Sequence, residues 1–120
     1  MLRKIDCVMV KVDDLAAAAR YYAEVFGLKR LWADGFSVGM GLPETDAEIV
    51  LHNDPNVPKD IGVHYLVDDV IAAVQELSTK GCTIVAPPFD IAIGKCAVIQ
   101  DPFGTIFCIL DMTKGPRPTQ

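Results

Sequence analysis

Apolar positions recur with a helical period at two places along this chain. Leu15, Ala18, Ala19, Tyr22 and Phe26 fall on one face at 3.6 residues per turn, which predicts a helix over 15–26. Val70, Ala73, Val74 and Leu77 make a second stripe, which predicts a helix over 70–80. Asp13 or Asp14 stands ready to accept the free amide hydrogens of the first helix, and Gly27 and Gly81 suit the left-handed position after each helix end. Alternating or apolar runs at 5–12 and 61–67 precede the helices and read as strands. Three short strands are predicted after each helix: 29–33, 36–40 and 47–52, then 83–86, 95–100 and 105–111. Asp34-Gly35 signals a type I′ hairpin, and Asp101-Pro102-Phe103-Gly104 a type I turn.

The two halves share a grammar. Val12-Asp13-Asp14-Leu15-Ala16-Ala17-Ala18 returns 55 residues later as Val67-Asp68-Asp69-Val70-Ile71-Ala72-Ala73, with five of seven positions identical. Duplication therefore predicts an α+β fold of two βαβββ modules. An isolated half leaves one sheet face bare, so pairing halves puts helices on one face and a concave sheet cup on the other. The expected organisation is a single domain over 1–113, with module one at 1–53, a Pro-containing linker at 54–60 and module two at 61–113. Residues 114–120 read as a flexible tail.

Composition narrows the function. The chain has 120 residues, 11 Lys plus Arg, 16 Asp plus Glu and a net charge of -5. That balance argues against nucleic acid and anionic membrane surfaces as partners, since both are bound through clustered cations. No apolar run reaches the roughly 18 residues of a membrane span. The start, Met1 to Asp6, lacks a signal-peptide apolar stretch, so a reducing cytoplasm is expected. Cys7, Cys82, Cys96 and Cys108 then read as thiols, and none forms a CxxC pair.

Val12-Asp13-Asp14-Leu15 with Tyr21-Tyr22 and Gly27-Leu28, then Val67-Asp68-Asp69-Val70 with Gly81, then Asp101-Pro102-Phe103-Gly104 before a last apolar strand, together resemble the vicinal oxygen chelate superfamily. That superfamily includes glyoxalase I, extradiol dioxygenases, fosfomycin-resistance enzymes and bleomycin-resistance proteins. The resemblance covers about residues 5 to 112 and implies the fold more than an activity. It implies a divalent metal held by a His in each module's first strand and a Glu in each module's last strand. Counted along this chain, those positions fall on Cys7, Ile49, Gly62 and Cys108, so the expectation is no metal and no cofactor. Glu48, one residue before Ile49, is expected on the opposite face. The alternative is a zinc or other divalent site built from Cys7, His64 and Cys108, because His64 lies two residues after Gly62 on the same strand face.

Other residues carry weaker signals. Cys7 and Cys108 are read as buried fillers in preference to reactive thiols. His64 is a candidate general acid–base, weighed against a hydrogen-bonded lining residue, while His52 is expected towards the helix side or solvent. Trp32 and Phe36 flank the Asp34-Gly35 hairpin and are candidates for an aromatic rim; Phe103 reads as a core or seam residue, and Tyr22 as core with its hydroxyl at an edge. The acidic run 44–48 reads as a solvated loop entering a strand.

Three functions follow. The first is a small-molecule-binding protein with an apolar cup lined by Cys7, Met9, Trp32, Phe36, Ile49, Leu51, His64 and Cys108, working as a homodimer. The second is a lyase or isomerase of glyoxalase type, using His64 as acid–base catalyst or a Cys/His zinc site. The third is an interaction module whose cup is filled by its own Met9, Leu66, Ile106 and Leu110.

Overall fold

The computed structural model describes residues 1–58 and 61–116. The last positions of the expected linker (59–60) and of the expected tail (117–120) lie outside the described residues. Two compact units form: Asp6–Gly62, and Met1–Ile5 together with the chain from Val63. Each is α+β and carries the anticipated βαβββ order. Among the described residues no helix is long and apolar enough to cross a membrane.

In the first unit, β1 (Lys4–Lys11, of which the first two residues belong to the other unit) leads to α1 (Leu15–Glu24), then β2 (Lys29–Ala33), β3 (Ser37–Gly41) and β4 (Glu48–His52). The strands lie in the order β2-β3-β4-β1, with β1 and β4 parallel and the other pairs antiparallel. In the second unit, β5 (Val63–Leu66) leads to α2 (Val70–Thr79), β6 (Thr83–Ile91), β7 (Gly94–Gln100) and β8 (Ile106–Leu110). The order β5-β8-β7-β6 repeats the first unit's pattern, again with one parallel pair, β5 and β8.

The duplicated Asp-Asp pairs work as caps. Asp14 Oδ1 accepts from the Ala17 amide and Asp69 Oδ1 from the Ala72 amide, each at 3.0 Å. Each satisfies one amide that the first helical turn leaves without a partner. Gly27 (φ +76°) and Gly81 (φ +101°) turn the chain out of each helix in the left-handed region. The first helix stops two residues short of the expected Phe26. That ring is 56% exposed and packs edge-on against Tyr21 and Tyr22, not into the core stripe.

Each helix covers one face of its own four strands. Ala19, Leu28, Val38, Met40 and Leu51 form the buried cluster of module one, with Val10, Leu15, Tyr22 and Ile49 packed against it. Val67, Val70, Ala73, Ala97, Ile99 and Ile109 do the same in module two, with Tyr65, Leu77 and Phe107 around them. Each fully buried aliphatic side chain contributes about 1.5–3 kcal/mol.

Asp111 is buried just after β8 and ties module two together. Its Oδ2 accepts from the Val70 amide at 2.8 Å, the first amide of α2, and its Oδ1 from the Lys95 amide at 2.9 Å and the Thr113 hydroxyl at 2.9 Å. A Cβ at Gly94 would overlap this carboxylate, so the glycine is what lets β7 begin there. Burial raises Asp111's pKa, the largest single influence, but the donors from Val70, Lys95 and Thr113 outweigh it and the net shift is downward.

Two turns differ in their fate. Asp101 accepts from the amides of Phe103 and Thr105, and Gly104 sits at φ +89°, as the Asp-Pro-Phe-Gly turn predicts. The Asp34-Gly35 turn is not type I′, because neither residue has positive φ. Asp34 Oδ1 instead accepts from the amides of Phe36 and Ser37, a side-chain-built turn. Strand β6 runs on to Ile91 through Pro87 and Pro88, where a strand end at 86 was expected. Its pairing with β7 shifts between Ala86 and Phe89, which accommodates two residues lacking amide hydrogens.

Candidate functional site

The faces that α1 and α2 leave uncovered carry the chemistry. In module two, parity decides which side chains share the uncovered face. Tyr65, Ala97, Ile99, Phe107 and Ile109 point to α2. Their alternates, His64, Leu66, Cys96, Val98, Cys108 and Leu110, therefore share the other face. All six are buried, with His64 7%, Cys96 3% and Cys108 2% exposed.

Register then brings three donor groups together. His64 is the direct partner of Cys108 across the parallel β5/β8 pair. Val98 is the partner of Cys108 across β7/β8, and Cys96 pairs with Leu110, which places Cys96 diagonal to Cys108 on the same face. One His ring nitrogen and the two Sγ atoms all lie within 4.8 Å of one another. The Cys96 thiol beside Cys108 holds the Cys108 thiol far below the ordinary thiol value of 9.0, to about 5. Burial pushes the other way, and the His64 imidazole adds to the lowering through a hydrogen bond and its charge. The arrangement favours the thiolate form of Cys108 next to an imidazole, inside an otherwise apolar patch.

Module one places different groups on its uncovered face. Val10, Val38, Met40, Ile49 and Leu51 pack towards α1, so Cys7, Met9, Lys11, Glu48, Val50 and His52 take the other face. This corrects the expected register by one residue: Ile49 and Leu51 are helix-side core, and Glu48 and His52 stand with Cys7. Cys7 and Glu48 are direct partners across the parallel β1/β4 pair. His52 is 1% exposed, not turned to solvent. Trp32 lies across Gly39, where any Cβ would overlap its indole, and its Nε1 donates to Glu48 Oε1 at 2.6 Å. A bulge between Arg30 and Trp32 aims the indole there. Glu48 also borders a cleft of about 520 Å³ lined by Lys29, Leu31, Leu42, Pro43 and Asp46. Phe36, at the hairpin turn, is 54% exposed, and Phe103, at the tip of its turn, is 91% exposed instead of filling a core.

The duplication allows the modules to be aligned atom for atom. The Val12 amide donates to the His52 carbonyl at 2.8 Å, and the Val67 amide to the Leu110 carbonyl at 2.9 Å. Counting back from these anchors, Met9 matches His64 and Val50 matches Cys108. Cys7 and Glu48 match Gly62 and Ile106, whose side chains offer no donor atom. Cys96 was not among the expected site residues. The turn at 101–105 carried the signal: it sets Gln100 opposite Ile106, which fixes Val98 opposite Cys108 and Cys96 diagonal to it.

Two βαβββ modules, each with polar and sulfur groups on the face away from its helix, define a glyoxalase-fold protein. The chain matches the Glyoxalase/Bleomycin resistance protein/Dioxygenase superfamily over residues 4–109 and belongs to it. It is 37% identical over 67 residues, 55% of the chain, to a Mycobacterium tuberculosis protein provisionally named glyoxylase CFP32. It is 29% identical over 133 residues, 97% of the chain, to the "Probable lactoylglutathione lyase, chloroplastic" of Arabidopsis thaliana. The chain spans 24% and 37% of the length of these curated relatives. Among solved structures, the methylmalonyl-CoA epimerase of M. tuberculosis superposes with a TM-score of 0.76 at 19% identity, over 98% of this chain and 90% of that one. The Streptomyces coelicolor methylmalonyl-CoA epimerase bound to 2-nitronate-propionyl-CoA gives 0.75 at 16% identity, over 94% and 99%. At these identities the likeness is one of fold.

Proposed function

We propose that this chain binds a small oxygen-bearing molecule at the uncovered face of module two, centred on His64 and Cys108. The observation that supports it is the burial of an imidazole and two thiols within 4.8 Å of one another in an apolar setting. Clustered, charge-perturbed side chains are the mark of a working site. This reading is preferred to the filled interaction module and keeps His64 and Cys108 from the expected binding residues. Trp32, Cys7 and Met9 remain candidates on module one's own uncovered face. Assembly as a homodimer and residence in the cytoplasm belong to the same reading; light scattering on the eluting protein checks the first.

A second reading, a lyase or isomerase of glyoxalase type, gains from the thiolate–imidazole pair, which can take and return a proton next to a carbonyl. The names of the relatives set the probes. Binding of methylmalonyl-CoA and of an alpha-keto hemithioacetal is measured by calorimetry, with turnover followed in parallel. The proposal expects at least one probe to bind, and His64→Ala and Cys108→Ser to weaken it about tenfold or more, a loss of roughly 1.4 kcal/mol. Binding that neither substitution changes overturns the assignment of the seat, as does failure of both probes to bind. Turnover abolished by His64→Ala moves the chain into the enzyme class.

A further inference from the structure

We infer that His64, Cys96 and Cys108 form a three-donor site for a borderline-to-soft transition-metal ion, with Zn²⁺ as the expected occupant and a fourth position left open. Two thiolates and an imidazole select zinc and its soft neighbours over magnesium, calcium or manganese, which prefer oxygen. One nitrogen and two sulfurs are a known catalytic zinc set, with the fourth place taken by water or substrate.

Geometry agrees. Bonds of about 2.3 Å to sulfur and 2.0–2.1 Å to nitrogen put tetrahedral donors roughly 3.5 Å apart. The three donors already sit inside a 4.8 Å envelope, so side-chain rotation within strand-fixed positions closes the remainder. The backbone is preorganised because the donors stand on adjacent strands, β5, β8 and β7, at direct and diagonal register positions. The apolar neighbours Leu66, Val98 and Leu110 offer no competing donor.

The site shares only Cys108 with the positions the resemblance implies, and adds His64 and Cys96 in place of Cys7, Ile49 and Gly62. It lies wholly within one module and uses β7, and its histidine stands two residues beyond the first-strand position matched to Cys7. Metal binding here does not depend on the functional reading above; only the role of the open position, holding an oxygen of the small molecule, rests on it.

The test uses the full chain, reduced and stripped with a chelator, titrated with Co²⁺ without oxygen. One equivalent is expected to give a thiolate-to-cobalt charge-transfer band and tetrahedral ligand-field bands, both removed by Zn²⁺. Cys96→Ser and Cys108→Ser should each weaken binding by at least about a hundredfold, since even outer partners of a metal ligand cost 10- to 100-fold. Cys7→Ser should leave it unchanged. Zn²⁺ should also shield Cys96 and Cys108 from alkylation in the unsubstituted protein, leaving the reactivity of Cys7 and Cys82 unaltered, a readout independent of how the variants fold. Lack of the charge-transfer band, or a band lost with Cys7→Ser and kept with Cys96→Ser, overturns the site even where methylmalonyl-CoA still binds. A full metal complement with neither organic probe bound overturns the functional reading and leaves the metal site standing.

Discussion

Modules one and two are the same fold written twice, and they differ where it matters for chemistry. Their helix-side cores match in kind: Met40 and Leu51 in one, Ile99 and Ile109 in the other, all fully buried. Their caps match residue for residue at Asp14 and Asp69. On the uncovered faces, Met9 and Val50 stand where module two has His64 and Cys108. Packing against a helix constrains one face to be apolar in both copies, whereas the other face is free to diverge once the fold is secure. A second divergence is structural. Asn53 and Asp111 follow the last strands at matching positions, yet Asn53 is exposed and Asp111 is buried among four donors.

The comparison breaks first at the cores. Leu51→Ala and Ile109→Ala are each expected to cost about 3–4 kcal/mol in urea unfolding. A large loss for one and a small loss for the other would show that the two helix faces are not equivalent. Asp111→Ala is expected to cost about 2–3 kcal/mol, because it leaves buried amides without acceptors, while Asn53→Ala stays within roughly 0.5 kcal/mol. The pH dependence of Asp111 has a defined sign. Its folded pKa lies below the ordinary 3.8, so the unfolded chain takes up the proton first. The stabilisation is complete above the unfolded value and is lost as pH falls through the folded one. Asp111→Asn should flatten that acid slope, and an unaltered slope would remove the assignment.

The caps give a smaller and symmetric effect. Asp14→Ala and Asp69→Ala are each expected to cost about 1 kcal/mol. Unequal costs would point to unequal helix ends despite identical hydrogen bonds. The uncovered faces sharpen the contrast without a stability readout. In metal-free protein the thiolate ultraviolet absorbance should show a thiol titrating near 5, and that step should vanish in Cys108→Ser and move upward in Cys96→Ser. The same linkage makes Cys108 favour the folded state at alkaline pH, a contribution lost as pH falls through about 5. A thiol step seen only near 9 would mean the three groups do not meet as described.

Much of this was legible in the chain. The repeated Val-Asp-Asp segment located both helices, both caps and the duplication, because capping requires a short acceptor at one fixed position. Asp101-Pro102-Phe103-Gly104 located the last hairpin for the same kind of local reason. The face of β4 was not legible. Ile49, Val50 and Leu51 are all apolar, so alternation gives no parity, and only packing against α1 decides that Ile49 turns inward and Glu48 does not. The extension of β6 was hidden by Pro87 and Pro88, which signal a break unless the strand lies at an edge, as this one does in module two. His64 and Cys108 were visible as candidates. Cys96 was not, because its place emerges only when the β7/β8 pairing is followed four residues back from Gln100, beside the turn at 101–105.

The central claim is that module two, and not module one, holds the reactive cluster in its uncovered face. Anomalous diffraction at the zinc edge, from crystals of reduced protein grown with one equivalent of Zn²⁺, tests it most directly. The account predicts a single strong peak bonded to His64, Cys96 and Cys108. A peak bonded to Cys7 and Glu48 instead, or no peak at any of these residues, would contradict it.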